Sequence, residues 1–278
     1  RLFTNLTHEF RTPLTVMMGM SEDLAYKSPN ELNEASALIQ RNGKSLLRLV
    51  NQMLDLAKLD NGAYKLQWRQ NDIIHFIHYL IESYQSYANG LNLSLRFFSE
   101  AEKLVMDYDP DALSQVITNL VGNALKFTPS GGDISVKVLT NKDQLVLKII
   151  DTGRGIHEKD LPNIFNRFYQ SGFNEPTISA NGVGIGLAFC KELCQLMEGE
   201  ICVESILGSG STFAVKLPIS NVAPLVEEKI PTPNLSSVFP QLPPQQEKSQ
   251  VAKQLNETET TPLILIVEDN PDVVTYLR

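Results

Sequence analysis

The sequence predicts an α+β fold in which a helical hairpin comes first and a single β-sheet covered by helices follows. Apolar residues in the first 60 positions recur at helical spacing. From about Trp68 onward, short apolar runs bounded by glycine-rich turns alternate with helical segments, which is typical of strands and helices packed in layers. A stretch rich in proline, glutamine and glutamate then separates these elements from a last buried-type strand.

Composition excludes several classes of protein. The 278 residues suffice for about two domains, and a hydrophobic content of 42% can form a sizeable core. The net charge of −8 and the lack of a basic run argue against direct nucleic-acid binding. Three cysteines do not make a disulfide framework, so we expect buried thiols in a reducing, cytoplasmic setting. No apolar run reaches the roughly 18 residues of a membrane span.

The first 60 residues predict two antiparallel helices. The first covers residues 1–27 with Pro13 inside it, so we expect a bend just after His8. The second covers 31–60 and carries a heptad pattern. Its two stripes are Leu32, Ile39, Leu46 and Met53, and Ala35, Asn42, Leu49 and Leu56. A lone hairpin cannot bury both stripes, so we expect a homodimer through residues 1–60 that forms a four-helix bundle.

The next region predicts alternating helices and strands. In order, these are a helix over 72–89, a strand over 92–98, a helix over 109–127, strands over 134–139 and 145–150, a short helical region over 158–170, a helix over 184–198 and strands over 200–205 and 211–218. Asp109 and Pro110 indicate an N-cap and a first-turn proline. The predicted domains are a hairpin over 1–66, an α/β layer over 67–220, a flexible linker over 221–261 and the start of a further domain over 262–278.

The stretch NLVGNALKFT, residues 119–128, contains a candidate cation site. Asn119 and Asn123 are four residues apart, so both amides lie on one helix face, and Lys126 adds a positive charge one turn further on. Two amide oxygens with water suit a hard cation such as Mg²⁺, which keeps several waters and binds phosphates. Solvated polar side chains would give the same pattern, so this motif alone decides nothing.

The stretch DTGRGI, residues 151–156, follows a predicted strand. Its ionised Asp151 only accepts hydrogen bonds and is suited to an exocyclic amine, while Gly153 and Gly155 would let the backbone approach a ligand. A turn capped by Asp151 is an equally good interpretation. Further on, Gly182, Gly184 and Gly186 lead directly into a helix, whose free N–H groups favour phosphate. The polar, turn-rich segment 171–183 before it suggests a mobile lid.

The stretch THEFRTPLT, residues 7–15, contains His8 beside Glu9, and a single histidine on an apolar-patterned helix is usually structural. The order of the motifs changes that interpretation. His8-Glu9 with Thr12, then NLVGNALKFT, DTGRGI, IFNRFYQ and GVGIGLAF, resemble the H, N, G1, F and G2 boxes of sensor histidine kinases. The resemblance covers residues 1–218. It implies a dimerising helical hairpin followed by an ATP-binding sandwich of the gyrase, chaperone and histidine-kinase type.

The resemblance also implies roles for individual residues. His8 would accept the phosphoryl group from ATP, Glu9 would hold the other ring N–H, and Thr12 would orient water for dephosphorylation unless it is a plain surface residue. Asn123 would bind Mg²⁺ with Asn119 as its helper, and Lys126 would meet phosphate. Asp151 would accept from the adenine amine. The further nucleotide-binding positions would be Phe127, Gly153, Gly155, Ile156, Phe168, Gly182, Gly184, Gly186 and Leu187. Phe168 could instead be plain core.

The terminal PLILIVEDNPDV resembles the first strand and acidic pair of a receiver domain, so the whole chain is similar to a hybrid two-component sensor. Glu268 and Asp269 would then bind the receiver's Mg²⁺. The partner would be a receiver in the same parent chain or a separate response regulator. We expect the chain to be a piece of a longer protein, cytoplasmic itself but anchored in the inner membrane by upstream segments.

Two other functions stay open. Ala112, Val183 and Gln170 depart from the residues that many relatives carry, which would suit a degenerate scaffold that binds nucleotide without phosphoryl transfer. A chaperone or topoisomerase clamp would share the Asn, Asp-Gly and glycine motifs but would lack the His-Glu hairpin. His75 and His78 are three residues apart on a predicted helix, where surface or packing roles are better supported than a metal site.

Overall fold

A computed structural model describes residues 2–24, 29–141, 143–170 and 184–224, all of which belong to one unit, Arg1–Leu242. It confirms the α+β class, with a helical hairpin followed by a layer of helices on a mixed sheet. Within these residues, every helix is too short or too polar to cross a membrane.

Several predictions lie outside the described residues. These are the segment 171–183 with Gly182 and Val183, all but the first residues of the predicted linker, and the stretch 262–278 with Glu268 and Asp269.

The chain forms six helices and seven strands over the described residues. The helices are α1 Leu2–Asp23, α2 Pro29–Asp60, α3 Ile73–Ser83, α4 Gln85–Gly90, α5 Pro110–Phe127 and α6 Gly186–Leu196. The strands are β1 Arg69–Asp72, β2 Ser94–Ser99, β3 Val105–Tyr108, β4 Asp133–Thr140, β5 Gln144–Asp151, β6 Glu200–Ile206 and β7 Gly210–Pro218.

Helices α1 and α2 pack against each other as the heptad pattern predicts. Three residues of one stripe, Ala35, Leu49 and Leu56, are buried. The polar member of that stripe, Asn42, is half-buried and donates its side-chain N–H to the Leu38 carbonyl at 2.8 Å. The single chain still leaves large apolar side chains of the hairpin exposed: Leu14, Met18, Leu32, Leu47, Val50 and Leu54.

The five-stranded sheet has the order β2-β4-β5-β7-β6. β2 runs parallel to β4, and the other neighbours are antiparallel. In β4, Ile134, Val136 and Val138 are buried while Lys137 between them is exposed, because successive side chains of a strand point to opposite faces. Helices α3, α5 and α6 cover the buried face. The layered arrangement predicted for 67–220 is therefore present.

Two elements of the predicted α/β layer differ from the structure. The helix expected over 72–89 is two helices that meet at Tyr84. The Tyr84 N–H donates to the Ile81 carbonyl three residues back at 3.0 Å, its ring is buried, and its hydroxyl donates to Thr118 Oγ1 at 2.9 Å. The unpredicted strands β1, just before α3, and β3, just before α5, form an antiparallel ribbon with Arg69 opposite Tyr108. Each is only four residues long, and β1 carries no apolar alternation.

The helical region expected over 158–170 is also wrong. Only one 3₁₀ turn, Leu161–Asn163, forms there. In the rest, Tyr169 donates its hydroxyl hydrogen to Asp160, nine residues earlier, at 2.7 Å, and Phe168 has a left-handed φ of 66°. A helix cannot contain that φ, so the apolar spacing of this stretch is misleading.

Residues 220–224 lie along the β1–β3 ribbon. The carboxylate of Asp107 accepts the Ser220 hydroxyl at 3.1 Å and the N–H groups of Val222 and Ala223 at 2.5 and 3.1 Å. The Gln70 N–H donates to the Pro224 carbonyl at 3.2 Å. Residues 221–224, which composition assigns to the linker, are therefore fastened to the preceding domain.

Candidate functional site

The start of α5 is fixed by the predicted cap. Asp109 is buried, and its Oδ1 accepts the N–H groups of Asp111 and Ala112 at 2.9 and 3.0 Å, while Pro110 occupies the first turn. Ala112 has no exposed surface, so an arginine at this position could not keep its charge in water without a rearrangement of the surrounding core.

Asn119 and Asn123 lie on the same face of α5, and both are half-buried. The Asn119 side-chain nitrogen donates to the Gln115 carbonyl at 2.9 Å, so its amide oxygen points elsewhere as an acceptor. A Cβ added to Gly186 would lie 2.8 Å from that oxygen. The structure thus brings the Asn motif against the first residue of α6.

Asp151 ends β5 in a buried position between Ile134 of β4 and Ser211 of β7. Its Oδ1 accepts the Gly153 N–H at 2.8 Å, so the capped turn forms. Burial raises the pKa of the Asp151 carboxyl above its usual value, and hydrogen bonds from the Gly153 and Ser211 backbones partly offset this. The carboxylate is costly to bury as an ion even with two backbone donors.

Gly153 and Gly155 pack closely against the chain itself. A Cβ on Gly153 would lie 2.6 Å from the Phe127 carbonyl oxygen. Gly155 has a φ of 69°, and its Cβ would lie 2.1 Å from the Ile206 carbonyl oxygen. The next N–H, from Ile156, donates to Ser205 Oγ at 2.8 Å. The loop after Asp151 is therefore held between the end of α5 and the β6–β7 turn.

The ring of Phe127 carries two cations. The Lys126 ammonium lies 5.1 Å from the ring centroid, and the Arg154 guanidinium carbon lies 4.5 Å from it. Both distances are within the range of cation–π attraction. Lys126 is thus close to the loop of Asp151, as well as one turn beyond Asn123.

Phe168 and Gly184 flank the segment 171–183 and are bonded to each other. The Phe168 N–H donates to the Gly184 carbonyl at 2.8 Å. Gly184 has a φ of 72°, and its Cβ would lie 2.6 Å from the Tyr169 carbonyl oxygen, so only glycine fits. Phe168 and Leu187 are half-buried against the core, as the packing interpretation of Phe168 expects.

His8 and Glu9 lie within α1, and their side chains are outside the described part of the chain. Thr12 follows one turn later on an exposed position of the helix, and Pro13 is buried inside it. Among the described residues, no group of three or more His, Cys, Asp or Glu is arranged to hold a metal, and His75 is exposed on α3. His78 instead stacks on Phe97, with 4.9 Å between ring centroids.

The end of α2 contacts the α/β layer through residues that sequence reasoning missed. Arg167 donates to Asp60 at 2.8 Å and to Glu192 at 3.0 Å, and Tyr64 meets the ring of Phe189 edge-on. The hydrogen bond from Arg167 lowers the pKa of the Asp60 carboxyl below its usual value. Arg167 belongs to the IFNRFYQ motif, but nothing in the sequence indicates a partner 107 residues away.

Two known domain families match the chain. Residues 1–62 match the His Kinase A (phospho-acceptor) domain, and residues 108–221 match the family of histidine kinase-, DNA gyrase B- and HSP90-like ATPases. Between them, these matches include every described residue of the candidate site.

Named relatives agree with the domain matches. Histidine kinase P4 of Formosa agariphila is 35% identical over 79% of this chain and 16% of its own length. Sensor protein SrrB of Staphylococcus aureus is 34% identical over 77% of this chain and 37% of its own length. The chain thus spans well under half of these relatives.

Solved structures show the same architecture. The histidine kinase ShkA, crystallised in full length in complex with AMPPNP, is 27% identical, and the match covers 80% of this chain and 46% of ShkA with a TM-score of 0.61. The phosphoacceptor and ATPase domain matches, the two relatives and this fold agree, and the chain belongs to the sensor histidine kinase family.

Proposed function

We propose that the α/β domain, residues 67–220, binds ATP with Mg²⁺ and that His8 accepts its γ-phosphoryl group. The observation that carries this proposal is the meeting of three distant motifs. Gly153 lies against Phe127 at the end of the Asn motif, and Gly186 lies against Asn119. AMPPNP, an ATP analogue, in the ShkA structure supports ATP as the nucleotide.

The residues present fit Mg²⁺ and a nucleotide. Asn119 keeps its amide oxygen as an acceptor because its nitrogen is used by Gln115. With Asn123 one turn on, this gives neutral oxygen ligands of the kind that Mg²⁺ accepts when phosphates complete its shell. When bound, Mg²⁺ would neutralise charge on the β- and γ-phosphates. Asp151 would accept the adenine amine, and Lys126 would meet phosphate.

The chemistry asked of His8 is a simple displacement. A neutral ring nitrogen of His8 bonds to the γ-phosphorus while the bond from that phosphorus to the β-phosphate oxygen breaks, and ADP leaves with the electron pair. Glu9 would accept the hydrogen bond of the other ring N–H and so keep the attacking nitrogen unprotonated. The remaining barrier is lowered mainly by positioning and charge stabilisation.

The test is label transfer from γ-labelled ATP. Wild type should acquire an acid-labile phosphoryl group that the His8→Gln variant lacks. His75→Gln is the matched control, because His75 is an exposed histidine on α3 of the same chain. Undiminished label in His8→Gln, or nucleotide binding with no label in wild type, would refute the proposal. The second outcome would favour the non-catalytic scaffold.

We propose further that the hairpin dimerises through residues 1–60. The exposed apolar residues Leu47 and Leu54 are one heptad apart on α2, and a second copy would remove them from water. Sedimentation should show a dimer that a Leu47→Glu, Leu54→Glu double variant converts to monomer. Ile206→Glu, at an apolar position 70% exposed outside the hairpin, should leave the dimer intact. A monomeric wild type would contradict this.

The phosphoryl group would then pass to an aspartate of a receiver domain, either in the parent chain or in a separate response regulator. The likeness of residues 262–278 to a receiver start motivates the first alternative, with Glu268 and Asp269 as its Mg²⁺ ligands. Thr12, exposed one turn after His8, would orient the water that removes the phosphoryl group from the receiver aspartate. We also propose that the longer protein that contains this chain is anchored in the inner membrane.

A further inference from the structure

We infer that Arg154 is a positioning residue that holds the loop after Asp151 in the form that binds adenine, and this inference rests on the proposed function. Arg154 is the residue between the two loop glycines. It contacts both walls of the loop, the end of α5 on one side and the β6–β7 turn on the other.

The backbone of Arg154 is bonded in both directions. Its N–H donates to the Phe127 carbonyl at 3.3 Å, and its own carbonyl accepts the Gly208 N–H at 2.7 Å. These two hydrogen bonds fix the position of the loop between the end of α5 and the β6–β7 turn. Any residue except proline could make them, so they do not by themselves explain an arginine.

The side chain adds a contact that depends on arginine. The guanidinium carbon lies 4.5 Å from the centroid of the Phe127 ring, the same residue whose carbonyl accepts the Arg154 N–H. A planar guanidinium stacks on an aromatic face, which a lysine ammonium cannot do. Arg154 thus contacts Phe127 through both its backbone N–H and its guanidinium.

The loop needs such a grip because of its glycines. Gly153 and Gly155 cannot be exchanged for larger residues, since a Cβ on either would fall within 3 Å of a backbone oxygen. Glycine also loses the most conformational freedom on ordering. Arg154 therefore carries the one side chain between them, and its contact restrains a segment that would otherwise be the loosest part of the site. Asp151 shares this loop through its bond to the Gly153 N–H.

A comparison with Lys126 distinguishes a positioning role of Arg154 from a direct effect of its charge. Its ammonium lies 5.1 Å from the same ring, but Lys126 belongs to α5 and is proposed to meet phosphate. If Arg154 acts on the loop, its loss affects the adenosine part of every nucleotide equally. If it acts as a charge, its loss affects nucleotides in proportion to their phosphates.

The experiment measures the affinities of adenosine, ADP and Mg-ATP for the full chain by calorimetry, with ligand-observed NMR for adenosine. Arg154→Ala should weaken all three by one common factor of about twofold to fivefold, as expected for one cation–π contact. Arg154→Lys should restore affinity only in part, because an ammonium keeps the cation–π attraction to Phe127 but lacks the planar stacking of a guanidinium. Lys126→Ala should weaken ATP most and adenosine least. Autophosphorylation of Arg154→Ala at saturating ATP should match wild type, with only KM raised.

The exposed Arg96, which pairs with Asp133 on the sheet, supplies the matched control, and Arg96→Ala should bind as wild type. A loss in Arg154→Ala that grows with phosphate number, full rescue by Arg154→Lys, or unchanged affinity for all three ligands would overturn the inference. Failure of wild type to bind any of the three would instead overturn the proposed function.

Discussion

Asp109 joins the exit of the hairpin to the helix that carries the Asn motif. Its Oδ1 caps α5, and its Oδ2 accepts the Gln67 N–H at 2.6 Å. Two variants separate these contacts. Asp109→Ala removes both, whereas Asp109→Ser keeps a good capping hydroxyl that is too short to reach Gln67.

The expected magnitudes follow from the two contacts. Loss of an N-cap costs about 1 kcal/mol. A hydrogen bond to a charged acceptor contributes about 1.5–3 kcal/mol, which we reduce to about 1 kcal/mol because water can reach the exposed Gln67. Asp109→Ala should therefore destabilise the domain by about 2 kcal/mol and Asp109→Ser by about 1 kcal/mol. With a urea m-value of about 2 kcal/mol/M, the midpoints fall by about 1 M and about 0.5 M.

Urea titration read by two signals tests this. Trp68 is the single tryptophan and follows Gln67 directly, so its fluorescence reports the junction, while circular dichroism reports the helices. In Asp109→Ser the fluorescence transition should precede the dichroism transition. Asp72→Ala removes the cap of α3 instead and should lower both transitions together. Equal midpoints for Asp109→Ser and wild type, or for Asp109→Ser and Asp109→Ala, would refute the reasoning.

Three further predictions concern charge and burial. Arg167→Asp should free the end of α2, seen as faster proteolysis of the junction, and Asp60→Arg in the same chain should restore protection; no restoration would mean that this ion pair does not hold the junction. Asp151→Asn should raise the melting temperature at pH 7, because it removes a buried charge, yet weaken ATP binding at least tenfold. The stability gain should vanish as the pH falls through the raised pKa of Asp151. Equal ATP affinity of the variant and wild type would contradict the adenine role of Asp151. Thiol labelling of the native protein should reach the half-buried Cys202 first, since burial raises the pKa of Cys194 to about 12, and early labelling of Cys194 would show that α6 opens.

The elements that sequence predicted well are those whose signal is local. α5 was placed by Asp109 and Pro110, which act on the backbone within three residues. The β4–β5 hairpin was placed by alternation, since Ile134 and Val136 had to share a face whatever else the chain did. The packing of α1 against the apolar stripe of α2 is predictable for the same reason, because the two helices are neighbours in both sequence and space.

The failures are elements whose signal is distant. The β1–β3 ribbon pairs Arg69 with Tyr108, and neither strand is long enough to show a pattern. The region 158–170 has helical apolar spacing, but its bonds run to Gly184 and from Tyr169 to Asp160, and these override the local preference. Local residue preferences carry no information about such contacts.

The candidate site divides in the same way. Motif order is enough to single out Asn119, Asp151 and Gly186, and the structure places these three on neighbouring elements. The contacts of Arg154 and Arg167 were invisible, because their partners belong to other motifs or to the other domain. Sequence therefore names the groups that would touch a nucleotide better than the groups that hold those residues in place.

Asp151 shows why its two interpretations are not alternatives. The turn is real, because Oδ1 accepts the Gly153 N–H. A carboxylate has about four acceptor sites, however, and among the described residues two backbone donors, Gly153 and Ser211, bear on this one. A turn cap works equally well in water, so the turn does not account for burial that raises the pKa of the group. A donor amine arriving with adenine would offset that cost, and the turn would aim the carboxylate at it. Binding should then release protons at a pH near the raised pKa, and ATP binding without proton release there would leave the burial unexplained.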